Sequence, residues 1–163
     1  MKITQRPLAA ADVRPLWEFM LEFPRHNFDD GGPHTLEQFE QAMVDRVQHE
    51  VLAAFTIEDD NFIGAAAYRP FSPRSGVLRG VCFARRVHGT GIPLEAMRGF
   101  IEGLGRDGAE KVSAQLHADN TRAWRFFKKL GFVQEGLFRA HTTRAGDLID
   151  LRIIALFKKD KVD

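Results

Sequence analysis

Residues Val81–Met97 read V-C-F-A-R-R-V-H-G-T-G-I-P-L-E-A-M, and this stretch restricts the architecture more than any other. An apolar, strand-like run, Val77–Phe83, meets a basic segment, Arg85-Arg86-Val87-His88. A Gly-x-Gly pair then opens a helical pattern that runs from Pro93 to Leu104. Glycine at 89 and 91 removes the Cβ atoms that would hold a ligand off the backbone, and it permits positive φ. The first turn of the helix offers free N–H groups and the positive end of its dipole. Pro93 suits that turn, since its missing N–H would be an orphan there. Strand, loop and helix start together make an anion cradle of the kind that holds a pyrophosphate. Taken alone, the same residues also read as a tight turn.

Around this stretch the chain alternates strand and helix patterns. Lys2–Arg6 alternates as an edge strand stopped by Pro7, and Asp12 is placed to cap a helix over Val13–Phe23. Pro24–His34 is rich in breakers, and the box Thr35-Leu36-Glu37-Gln38 starts a second helix to Gln48, with Phe39, Met43 and Val47 facing inward. Val51–Ile57 and Phe62–Tyr68 form a hairpin, and a loop at Pro70–Gly76 leads to Val77–Phe83. Lys111–Leu116 is a further strand, Asp119-Asn120-Thr121 starts a helix over Arg122–Leu130, and Gly131 ends it. Phe132–Ala140 and Leu148–Phe157 close the series, separated by Thr142–Asp147. The order predicts an α/β chain, a mixed sheet with helices on its faces, as a single domain over residues 1–163.

Composition limits function more than it names it. A net charge of +1 gives no global field for nucleic acid, so an anion site must be local. One cysteine, Cys82, excludes an internal disulfide and a Cys-rich zinc site, and in its apolar run it reads as a small buried hydrophobe. The N-terminus lacks an apolar signal core and no run approaches a membrane span, so a cytoplasmic protein is expected.

A second stretch, A-D-N-T-R-A-W-R-F-F-K-K-L-G-F-V-Q-E-G from Ala118 to Gly136, stands at the expected distance from H-G-T-G-I-P-L-E-A-M. The pair resembles the acetyl-CoA-dependent N-acetyltransferase superfamily (GNAT), and the spacing to G-F-x-x-E-G is most similar to its ribosomal-protein N-terminal acetyltransferase (RimJ/RimL-like) branch. The resemblance implies a GNAT-like fold of about seven mostly antiparallel strands with a splayed central pair and four helices. It implies acetyl-CoA as cosubstrate and direct attack by an amine. The backbone of Val81, Cys82 and Phe83 would pair with the pantetheine arm as an added strand does. The loop aligns as His88-Gly89-Thr90-Gly91-Ile92-Pro93, where His88 replaces a usual Gln, Arg or Trp and Pro93 replaces a small residue. By the same resemblance Asn120 bonds the cofactor arm, although it also reads as a helix cap.

Arg85, Arg86, Arg125 and Lys128 could each reach a phosphate, against the plain reading of a solvated basic face. The better-known family members place an acid tyrosine where this chain has Phe127, seven residues after Asn120, and a glutamate base where it has Gln115. Phe127 is retained as a cofactor-lining position, and the acid and base are left unassigned. The candidates for the base are His26, Asp29, Asp30 and His34 in the first loop, together with His117 and Glu95. Glu95 equally complements its helix dipole. His26, Asp29, Asp30 and His34 match no metal-ligand spacing, so no metal is expected. Trp17 and Trp124 read as core. The acceptor is a small-molecule or peptide amine, with no nucleic acid or membrane partner, and Thr142–Asp147 lines its pocket or a homodimer contact. Two rivals stand beside the transferase: a catalytically silent acyl-CoA sensor, and an α/β interaction protein whose Gly-x-Gly is an ordinary turn.

Overall fold

The computed structural model describes residues 1–158, so the last five positions of the expected domain, 159–163, lie outside the described residues. The elements are β1 (Ile3–Pro7), α1 (Ala10–Leu21), α2 (Pro24–Asn27), α3 (Leu36–His49), β2 (Val51–Ile57), β3 (Asn61–Ser72), β4 (Ser75–Phe83), α4 (Ile92–Arg106), β5 (Lys111–His117), α5 (Thr121–Lys129), β6 (Val133–Arg144) and β7 (Asp147–Phe157). A single 3-10 turn, Arg85–Val87, joins β4 to the glycine loop.

One sheet holds all seven strands in the order β1-β2-β3-β4-β5-β7-β6. Every pairing is antiparallel except that of β4 with β5. Ala53, Ala54 and Phe55 and the run Ile63, Ala65, Ala66, Ala67 are buried, as expected of central strands covered on both faces. On one face Phe55, Ile63 and Ile154 pack with Met97 and Phe100 of α4 and Phe127 of α5. On the other, Leu16 and Trp17 of α1 meet Phe39 and Met43 of α3 over Ala65. Trp17 is therefore core, as the pattern implied.

Several local expectations are corrected. The α1 cap is Ala9, and Asp12 sits a turn inside, where its carboxylate accepts the Ala9 N–H (2.8 Å) and the Arg6 guanidinium (2.6 and 3.0 Å). Val47 is 64% exposed, because the apolar stripe of α3 ends at Met43. Within Pro24–His34 the chain makes the one-turn α2, so four long helices are joined by a short fifth. Positions 70–76, expected as a loop, are mostly strand: β3 runs to Ser72 and β4 starts at Ser75. Likewise β6 and β7 continue to Arg144 and from Asp147, leaving Ala145-Gly146 at positive φ as the turn.

The feature that positions the site is a fork between β4 and β5. Their parallel pairing runs only from Ser75–Lys111 to Leu78–Ala114. Opposite them, β3 pairs Tyr68 with Leu78 and Ala67 with Gly80, so Arg79 is an extra residue on β4. Such a bulge bends its strand and re-aims the residues beyond it. Meanwhile β5 stays with β7 to His117–Leu151. A wedge opens between Val81–Phe83 and the end of β5.

Candidate active site

Two clefts meet in that wedge. The larger, about 760 Å³, runs from Val81, Cys82 and Phe83 past His88, Gly89, Gly91 and Pro93 to Asn120, Arg125 and Phe127 on α5. The smaller, about 390 Å³, opens on the α1–α3 side and includes Asp29, Arg46, Arg79, Gln115 and His117. His26, Asn27, Val81, Cys82, Asn120, Ala123 and Phe127 line both, which marks the junction.

At the far end of the larger cleft the glycines behave as their sequence requires. Gly89 and Gly91 have φ of 78° and 83°, and a Cβ on either would meet nothing within 4 Å. Thr90 Oγ1 takes the Ile92 N–H and Pro93 has none, while the N–H groups of Gly89, Gly91 and Leu94 have no acceptor among the described residues. The corner is open and donor-rich, a fit for a diphosphate. His88 is held as part of the wall: its Nε2–H donates to the Phe83 carbonyl (2.8 Å), and its ring stacks on Phe23 at 4.8 Å. Phe23 also carries Arg85 (4.7 Å) and Arg122 (4.4 Å) over its ring. Arg122 lines the cleft, and burial together with Arg85 lowers its pKa. Sequence reasoning missed Arg122 and Phe23, whose only signal was their closeness to the two motifs. Lys128, named for a phosphate, instead lies over the Trp124 ring.

Asn120 is a helix cap, its Oδ1 accepting the Ala123 N–H (3.1 Å), and the residue also lines both clefts. Cys82 is half-buried, and burial pushes its thiol up to about 12, so it stays protonated. Phe127 is buried against Phe132 and Phe126.

The base candidates separate by position. Asp29 accepts from Thr142 Oγ1 (3.0 Å) and the Gly31 N–H (3.2 Å). Asp30 accepts the Ala145 and Gly146 N–H groups (2.8 and 3.0 Å), and these bonds lower its pKa. The β6–β7 turn thus docks on loop 24–34 of its own chain. His34 is exposed, bonded to the Asp30 carbonyl, and lines neither cleft; Glu95, Thr90 and Ile92 line neither as well.

His26 and His117 come together with Asp119, their ligand-type atoms within 4.8 Å of one another. Asp119 is bound by Arg25 (2.9 Å) and Arg144 (2.7 Å), and those arginines hold its carboxyl well below the usual range. Two guanidinium groups oppose a cation there, so the cluster reads as an ion-pair network. Burial lowers both histidines, with Asp119 partly opposing the shift in each. His117 Nδ1 accepts from Arg144 (3.3 Å), which leaves its proton on Nε2. His26 Nδ1 is buried, without a hydrogen-bond partner among the described residues, 3.8 Å from Asp119 Oδ1.

Residues 2–133 match a family described as the acetyltransferase (GNAT) domain. The chain belongs to the GNAT acetyltransferase family. An uncharacterized N-acetyltransferase, p20, of Bacillus licheniformis is 27% identical over 105 residues, 63% of this chain and 59% of that protein's length. Among solved structures, the spermidine N-acetyltransferase of Vibrio cholerae, in complex with CoA and spermine, superposes with a TM-score of 0.80 at 16% identity over 95% of both chains. The ribosomal-protein-alanine N-acetyltransferase of Brucella melitensis gives 0.76 at 20% identity, over 95% of this chain and 99% of that one. At these identities the likeness concerns the GNAT fold. None of the described helices is long and apolar enough to cross a membrane.

Proposed function

We propose that this GNAT domain is a cytoplasmic, RimJ/RimL-like N-acetyltransferase that moves an acetyl group from acetyl-CoA to a small-molecule or peptide amine. The observation that carries the reading is the fork itself. The edge of β4 is freed after Leu78, and the cleft beside it runs without a break to the bare amides of Gly89, Gly91 and Leu94. An extended arm carrying amides fits a free strand edge, and a diphosphate fits the helix start. Arg122 and Arg125 lie on the same wall and can meet further phosphate charge.

When bound, acetyl-CoA supplies an acyl thioester that a neutral amine attacks directly. His26, at the junction of the two clefts, takes the amine's proton at Nε2. Asp119 lies on its Nδ1 side and favours the tautomer that leaves Nε2 free, and burial keeps the ring neutral near pH 7. Freed N–H groups along Val81–Phe83 face the developing oxyanion. Phe127, in place of a tyrosine, has no proton to donate, so the proton taken by His26 would balance a leaving thiolate through solvent.

The test is thermal. Acetyl-CoA at about 100 times its Kd stabilises by about 2.7 kcal/mol, roughly 5–10 °C in Tm for a chain of this size. Absence of any shift at millimolar acetyl-CoA defeats the proposal and restores the ordinary-turn reading. A shift without thiol release from any of a panel of amines leaves the acyl-CoA sensor.

A further inference from the structure

The smaller cleft carries charge that the transfer reaction does not use. Arg46 of α3 donates from Nε to Glu50 Oε2 (2.8 Å), and Arg79, the bulged residue of β4, lies 3.5 Å from Glu50 Oε1. The Glu50 side chain is 2% exposed, so two guanidinium groups share one buried carboxylate and leave one positive charge in excess. Arg46 Nη2 is shielded from water and has no hydrogen-bond partner among the described residues. A buried guanidinium N–H without an acceptor is costly, and an oxyanion is the acceptor that relieves it best. Gly80 of β4 lies against this guanidinium: a Cβ there would stand 3.6 Å from Nη2, in ordinary contact.

Carboxylates that could receive a polycation are already engaged. Asp29 and Asp30 hold the β6–β7 turn, and Asp119 is held by Arg25 and Arg144. Apolar Phe28, Phe39 and Met20 also line this cleft and suit a short aliphatic spacer. Gly80 lies two residues before Cys82 on β4, a separation of about 7 Å along a strand.

We propose that the acceptor is a small amine bearing an oxyanion, a carboxylate or phosphonate, several bonds from its nitrogen, and that Arg46 and Arg79 hold that oxyanion. This rests on the transferase reading for the position of the amine, at the His26 junction. The excess charge and the unpartnered Nη2 stand without it.

The experiment compares 4-aminobutyrate and 2-aminoethylphosphonate with n-pentylamine, spermidine and a neutral dipeptide amide. Turnover is followed by thiol release, and binding to the CoA-saturated protein by calorimetry. The expected result is kcat/KM at least about 10-fold higher for the oxyanion-bearing amines, the size of one good charge-assisted contact. Arg79→Gln leaves Glu50 paired with Arg46, and the double variant Arg46→Gln/Glu50→Gln removes the buried charges together. Each should raise KM for 4-aminobutyrate with little change in kcat, leave n-pentylamine unaffected and keep the acetyl-CoA melting shift. Turnover that favours n-pentylamine, spermidine or the dipeptide amide overturns the inference and leaves the transferase standing. Oxyanion binding lost in the variants, with no turnover of any amine, does the reverse. Neither binding nor turnover overturns both.

Discussion

At the scale of single residues, the proposed reaction depends on a lone pair at His26. His26→Gln keeps a polar side chain of similar reach and removes the base, so kcat/KM should fall by about 10²–10⁴ while the acetyl-CoA melting shift persists. Because burial lowers the His26 pKa, the acid limb of the wild-type kcat/KM profile should fall below the free imidazole value of about 6.5. A limb above 6.5 would assign the base elsewhere. His117 is a poorer choice for a reason of bonding: its Nδ1 lone pair faces Arg144 and its Nε2 carries the proton. At Cys82, a thiol held near 12 is almost wholly protonated at neutral pH. Cys82→Ala should retain activity, and alkylation of the native thiol should be far slower than that of free cysteine, as iodoacetamide kinetics would report.

Elements translate these residues into a site, and β4 bears most of that demand. Its partner β3 approaches so closely at Gly64 that a Cβ would stand 2.5 Å from the Cys82 carbonyl oxygen and from Phe83 Cδ1. Backbone cannot yield as a flexible side chain does, so Gly64→Ala should cost about 1–3 kcal/mol by overpacking. It should also weaken acetyl-CoA binding, since the displaced strand is the one whose edge forms the cleft. The glycine loop makes the opposite prediction. A Cβ at Gly89 or Gly91 has free space, and only the positive φ resists it. Gly91→Ala should therefore lower Tm by a few degrees, for a strain of about 1 kcal/mol. Gly91→Asp should fold comparably but lose the acetyl-CoA shift, because a carboxylate then occupies the cradle. Calorimetric titration of both variants separates strain from charge.

Over the whole molecule, acid should weaken the fold in two waves with one sign. Burial lowers His26 and His117, so the unfolded chain takes up protons first as pH falls below about 6.5, and stability drops until the folded values are passed. Asp12, Asp30 and Asp119 are also depressed, and their stabilisation, complete above the unfolded carboxylate value of about 3.9, is lost as pH falls through the lower folded values. For Asp12 burial pushes the other way, and the Arg6 and Ala9 bonds outweigh it. Melting scans between pH 7.5 and 3 should show Tm falling throughout, and a rise on acidification would reverse the assignment. The sequence by itself determined the strand–glycine–helix corner, the Asn120 cap, the long helices and the succession of strands and helices along the chain. These rest on local pattern: backbone freedom at two glycines, a period of 3.6 or 2, and a cap within four residues of its amide. Only the tertiary structure decided that His26 and His117 meet at Asp119, that Arg122 shares the Phe23 ring, and that Arg46 and Arg79 converge on Glu50. Most of those contacts join residues far apart in the chain, and Arg79 reaches Glu50 as the extra residue of a β-bulge that leaves no mark in hydrophobic period. Side-chain chemistry is local, whereas the field each group feels is set by chain brought from elsewhere.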